Sequence, residues 1–241
     1  MPPKSRPTAR PALVKAHSQR HIAVVGAGIA GIACARTLMQ AGHRVSVFEK
    51  SRGTGGRMAT RRTEFGSFDH GTQYFTVRDA RFAKALETAH GLVRPWSANT
   101  VRILDGAGRV VAAALPPKES HWVATPGMNA LVRQWSRPLE ADDQLFLETQ
   151  VVRIEHDKLH PERWQLQTEG PDGSQHVYSG FDQVVLAVPS PQAKALLLNS
   201  QQGKDLLEKI SRVDVAPCWT LMLAFPQAMQ PTLSHLGPQW N

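Results

Sequence analysis

The chain has 241 residues, 41% of them hydrophobic, and a net charge of +8 at pH 7. That content can bury a sizeable core in one large or two interleaved domains, and no apolar run reaches the roughly 18 to 20 residues of a membrane-spanning helix. Cys34 and Cys218 lie far apart and form no C-x-x-C, which excludes a disulfide framework and a thiolate zinc site and predicts packed, reduced thiols in a cytoplasmic protein.

The charge points to nucleic acid only until it is located. Lys4, Arg6, Arg10, Lys15 and Arg20 stand in the first 20 residues with no acid among them, leaving +3 for the remainder. This segment has four prolines and little apolar content. It reads as a disordered basic extension over 1–20, with neither the apolar centre of a secretory signal nor the regularity of a targeting helix. No specific nucleic-acid partner and no membrane are expected.

The next elements follow in order. Residues 22–25 form a short apolar β-branched run, as expected of a strand buried in a parallel sheet. Gly26, Gly28 and Gly31 fill the places of G-x-G-x-x-G. The first allows a tight turn, the second lets backbone approach a pyrophosphate, and the third lets the following helix lie close to the strand. A helix over 28–40 stops at Ala41-Gly42, and its N-terminus, including Ile29 and Ala30, would meet the diphosphate. A strand over 44–48 delivers Glu49, with Lys50 beside it, about 20 residues beyond the glycines, where an acid accepts hydrogen bonds from ribose hydroxyls. The same carboxylate repels a 2′-phosphate.

A second glycine loop, SRGTGGRMAT at 51–60, would extend under the same diphosphate, with Arg57 forking onto phosphate oxygens. A simple NAD dehydrogenase has no need of it. With FDHGTQYFTVRD at 68–79, this run resembles the flavin amine oxidase superfamily and, within it, the renalase-like NAD(P)/FAD-dependent oxidoreductases. The resemblance implies that Gly26, Gly28, Gly31, Glu49, Gly56 and Arg57, with Ile29, Ala30, Lys50 and Met58, hold the ADP half of FAD. It implies that Gly71, Thr72 and Gln73 line the isoalloxazine and that His70 lies beside it.

Further on, Asp79 can cap a helix reaching Gly91, and 101–111 reads as a hairpin about 105–108. Residues 121–135 suggest a loop entering a helix near Gly127, a Pro-Gly-Met start that the family shares. Trp96, Trp122 and Trp135 are candidate walls for a flat substrate. Residues 145–188 read as a run of strands with a turn at 170–173, closing on a buried strand at 184–188; by the resemblance, backbone near Val151 meets adenine. Pro189 and Pro191 start a helix through Leu198, and CWTLMLAF at 218–225 reads as the opening of another strand.

The expected fold is α/β: an FAD-binding Rossmann-type, glutathione-reductase-like domain (21–78 and 142–193) with an interleaved mixed-sheet substrate domain (79–141 and 194–241) that is incomplete at its C-terminal end. No catalytic side chain stands out, there is no G-x-S-x-G elbow or P-loop, and His156 and His160 flank a turn rather than a metal. Flavin chemistry accounts for this, because the cofactor carries the reaction and the protein supplies position and electrostatics. The resemblance implies noncovalent FAD taking hydride from a small flat substrate, a dihydro-NAD(P) isomer or an amine, and passing electrons to oxygen or another acceptor. Family members continue well past the strand at 218–225 to a glycine-aspartate motif and a closing helix, which LSHLGPQWN does not resemble. The alternative expectation is a truncated, catalytically impaired relative acting at most as a nucleotide-binding module.

Overall fold

The structure, a computed structural model, describes residues 18–96, 100–114, 119–224 and 239–240. Most of the expected basic extension therefore lies outside the described residues.

The centre is a four-stranded parallel sheet. β1 (His21–Val25) runs between β2 (Arg44–Phe48) and the strand Gln183–Leu186, and the short strand Leu145–Phe146 lies outside β2. Alternation along the strands sends their side chains to two cores. On one face Val24, Val45 and Val47 pack under α1 (Ile29–Gln40), α2 (Ala80–Leu86) and α3 (Asn129–Ala141), with Ile32, Ala35, Leu131 and Val132 fully buried between them. On the other, Ala23, Val25 and Phe48 meet an antiparallel meander of Gln150–His156, Trp164–Glu169 and Gln175–Phe181. Phe48 anchors this side, stacked on Phe146 at 4.9 Å and met edge-on by Tyr178 at 5.0 Å. Layering of this kind lets both faces of the sheet be apolar, which is why its strands read as continuous hydrophobic runs.

α1 begins one residue later than the sequence predicts, while β2 has the expected bounds. Asp79 caps α2 by accepting the Arg81 amide at 2.8 Å, and the helix gives way to a 3₁₀ turn at Glu87–Ala89. The hairpin joins Thr100–Leu104 to Val110–Ala114, and Asp105 Oδ1 accepts the amides of Ala107 and Arg109, both at 2.9 Å, to hold the turn. Gln239–Trp240 pairs in parallel with its first strand.

α3 packs on α1 and β2. Other expectations are corrected. The strand expected at 184–188 spans Gln183–Leu186 and is half-buried, and among the described residues only β1 pairs with it, so it lies at the edge of the described sheet. No strand forms over 218–224, where Trp219 is 97% exposed; Phe225 lies outside the described residues. An apolar run becomes a strand only where a ladder partner reaches it. Cys34 is half-buried as expected, but Cys218 is exposed. No helix among the described residues is long and apolar enough to cross a membrane.

α4 (Ser190–Ser200) lies against the strand Gln150–His156. At the start of β1, His21 Nε2 meets the Ser46 hydroxyl at 3.0 Å and its ring lies 4.5 Å from that of Phe181. Burial first, then the Arg44 guanidinium, push the imidazole below its ordinary 6.5, with Asp182 opposing. A lowered basic group binds its proton more readily in the unfolded chain. Its contribution is present above about pH 6.5 and is lost as pH falls through the folded value. Thermal melts from about pH 8 to about pH 5 should show a decline that His21→Gln makes shallower, and an unchanged slope would contradict this assignment.

Candidate cofactor site

The end of β1 turns sharply at Gly26, whose φ is +103° and whose amide donates to the Phe48 carbonyl at 2.8 Å. A Cβ here would come within 2.8 Å of the Ala187 carbonyl oxygen, so the turn admits no side chain. Gly28 then caps α1 with an extended backbone (φ −72°, ψ 177°), with no side-chain cap and no acid in the first helical turn. The positive end of the helix dipole thus has no counter-charge from its own first turn.

Glu49, 7% exposed at the end of β2, ties this turn in place. Its Oε2 accepts the Ala27 amide at 2.8 Å and its Oε1 the Ser51 amide at 2.9 Å. Each carboxylate oxygen keeps a lone pair for a further donor such as a ribose hydroxyl.

The second glycine loop lies against the first. The Gly55 amide donates to the Ala27 carbonyl at 3.0 Å, and Gly55 forms an isolated parallel bridge with Gly28. Two residues on, Arg57 is exposed and has no ion pair among the described residues. A third loop backs this one: the Thr72 amide donates to the Arg57 carbonyl at 2.8 Å. Asp69 Oδ1 accepts both the Thr60 hydroxyl at 2.6 Å and the Met128 amide at 2.9 Å, fastening the two loops to the start of α3. Thr60 Oγ1 in turn accepts the Asn129 amide at 3.2 Å.

These loops enclose a cavity of about 840 Å³. Gly26, Gly28, Ile29, Ala30, Glu49, Lys50, Gly56, Arg57, Met58, Thr72 and Val151 line it, all of them expected at a cofactor. Gly31, Gly71 and Gln73 do not. A Cβ at Gly31 would collide with the Gly26 carbonyl, and one at Gly71 with the Arg57 carbonyl, so these two glycines serve backbone-to-backbone packing. Gln73 is exposed outside the cavity. His70 does not line it either, and its Nδ1 is buried with no hydrogen-bond partner among the described residues.

The candidate tryptophan walls lie elsewhere. Trp135 is 4% exposed, donates to the Thr88 hydroxyl at 3.1 Å and carries the Arg36 guanidinium over its ring at 5.2 Å. Neither Trp96 nor Trp122 lines the cavity. Among the described residues no cluster of three metal-ligating side chains occurs, and His156 stacks on Trp164 at 4.2 Å.

Sequence reasoning missed one wall, formed by Gln192, Ala195, Leu196 and Asn199 of α4. Their spacing of i, i+3, i+4 and i+7 marks one helical face, and that periodicity was the available signal. The cavity suits a dinucleotide in size and in parts: an uncapped helix N-terminus, an unpaired guanidinium, and a buried acid one loop away.

Residues 24–87 match the model of the NAD(P)-binding Rossmann-like domain, and residues 111–240, more than half the chain, match that of the flavin containing amine oxidoreductases. The chain is 45% identical over 58 residues to a 4,4'-diapophytoene desaturase (4,4'-diaponeurosporene-forming) of Staphylococcus haemolyticus (strain JCSC1435), over 24% of this chain and 12% of that one. It is 48% identical over 56 residues to an L-amino-acid oxidase of Bungarus fasciatus, over 23% and 11% of the two chains. A solved triple mutant of putrescine oxidase, made in a structure-based redesign of cofactor binding, superposes with a TM-score of 0.54 at 15% identity, covering 74% of this chain and 60% of that one. That likeness is one of fold. The matches thus span about a tenth of the curated relatives' length and 60% of the solved oxidase. The chain belongs to the flavin containing amine oxidoreductase family.

Proposed function

We propose that the chain holds FAD noncovalently in this cavity and serves a renalase-like oxidoreductase that takes hydride from a small, flat, electron-rich substrate. The observation that carries the reading is the uncapped N-terminus of α1, which shares one cavity with Glu49 and Arg57. Bound FAD would supply the hydride acceptor and pass electrons on to oxygen or another acceptor.

The chain's own residues do the rest. The first amides of α1 and the Arg57 guanidinium bind the diphosphate. Glu49 accepts the ribose hydroxyls of the adenosine half and repels a 2′-phosphate. Val151 meets the adenine at one end, and Thr72 stands on the isoalloxazine side. Cys34 and Cys218 lie outside the cavity, which supports noncovalent attachment. In a glutathione-reductase-like division the cofactor domain takes 21–78 and 142–193 and the substrate domain 79–141 and 194–241.

Anaerobic addition of candidate substrates tests the reaction. A dihydro-NAD(P) isomer should bleach the flavin absorbance, with an amine as the second candidate. If neither bleaches a flavin-loaded protein, the substrate class is wrong; a protein that takes up no flavin refutes the cofactor site as well.

A further inference from the structure

The strand Gln150–His156 is interrupted where it borders the cavity. Val151 pairs with Thr168 and Arg153 with Gln167, so Val152 has no partner of its own across the ladder. Such a bulge bends the strand and re-aims its backbone. Gln150, Val151 and Val152 line the cavity at this point.

Two side chains from the last turn of α4 hold the bulge. Asn199 Nδ2 donates to the Val152 carbonyl at 2.6 Å. The Ser200 hydroxyl accepts the Ile154 amide at 2.9 Å and donates to the Leu196 carbonyl at 2.6 Å. Ser200 is 3% exposed, whereas Asn199 is exposed and itself lines the cavity. Packing a helix on a strand requires only apolar contact. Here two polar groups bracket the bulge instead, one on each side of Arg153.

We propose that Asn199, backed by Ser200, is a positioning residue for a purine base: it fixes the bulge so that the backbone edge at 151–152 faces the base. A neighbouring N–H and C=O complement adenine, which offers an acceptor at N1 beside a donor at N6. Hypoxanthine reverses both, leaving donor against donor and acceptor against acceptor, and buried mismatches of that kind discriminate strongly. The inference rests on the cofactor reading above and adds to it the device that selects the base.

Calorimetric titration of the full chain with ADP and with inosine diphosphate tests it. Wild type should prefer ADP by at least about tenfold, and Asn199→Ala should reduce that preference below about threefold. Asn199→Asp, equal in size but without a donor for the Val152 carbonyl, should do the same. Asn199 is exposed, so the melting temperature should stay near that of wild type, and loss of preference then reports base positioning rather than stability. A variant that still prefers ADP as strongly as wild type overturns this proposal alone. A wild-type protein that binds neither nucleotide overturns it together with the cofactor reading.

Discussion

Replacing Gly28 by alanine is expected to leave the protein folded while weakening FAD binding by about a hundredfold or more, the equivalent of about 2.7 kcal/mol. The backbone at Gly28 (φ −72°) suits any residue, and the nearest protein atom to an added Cβ is the Gly56 Cα at 3.9 Å, an ordinary contact. As a helix cap, alanine costs about 1 kcal/mol or less relative to glycine. The methyl would nevertheless stand at the cavity wall between the two glycine loops, where a diphosphate must come close to the amides of α1. Gly31→Ala is the contrasting variant. Its Cβ would overlap the Gly26 carbonyl, so α1 must lift from β1, and forced separation of packed backbone costs about 1 to 3 kcal/mol or more. Melting curves and FAD titrations on both variants separate the two roles: Gly28→Ala should lose ligand and keep stability, and Gly31→Ala should lose stability. A Gly28→Ala protein that binds FAD as wild type does would remove the diphosphate from the helix end.

Glu49→Ala should be the most damaging single change in the site. It strands the Ala27 and Ser51 amides, which now donate to a carboxylate that is 7% exposed. Unsatisfied buried donors cost about 1 to 3 kcal/mol each, so a loss of about 2 to 5 kcal/mol is expected. For a chain of this size that lowers Tm by roughly 5 to 15 °C. Glu49→Gln keeps one acceptor and should be milder for stability. Its distinguishing effect is on selectivity, because the neutral amide no longer repels a 2′-phosphate. Adenosine 2′,5′-diphosphate should therefore bind Glu49→Gln relatively better, against ADP, than it binds wild type. Equal ratios in the two proteins would show that Glu49 does not face the ribose.

Much of this site was legible because its signals are local. The glycine turn, the helix that follows and the strand ending in Glu49 each depend on a few consecutive residues, and β2 has the bounds the sequence predicts. The Gly31 role, close packing of the helix on the strand, was legible from the glycine motif, whereas that of Gly71 was not. A glycine announces that space is needed, but the sequence does not say whether a ligand or another stretch of backbone occupies it. Both of these glycines face carbonyls of the chain itself.

Features set by distant partners were legible least. The run at 218–224 has strand-like composition but meets no ladder among the described residues. The strand at Gln183–Leu186 has the composition of a central strand and stands at the edge of the described sheet, a difference that an apolar run does not encode. Trp135 has the character of a substrate wall, yet it is buried against Phe82 of α2, Thr88 and Arg36 of α1. Gln192 and Asn199 enter the cavity because α4 folds back onto a bulged strand, Asn199 bonding to Val152, 47 residues earlier in the chain. The local elements and their turns were therefore readable, and the site down to its glycine loops, while the strand order, the run at 218–224 and the far wall of the cavity depended on tertiary packing.

Titration of the purified chain with FAD, followed by flavin fluorescence and repeated in the presence of ADP, tests the central claim most directly. The account predicts that one equivalent of FAD is bound, that ADP displaces it, and that FMN, which lacks the adenosine half, does not. Flavin binding that saturating ADP leaves untouched, or no flavin binding at all, would contradict a cleft built around the diphosphate bridge.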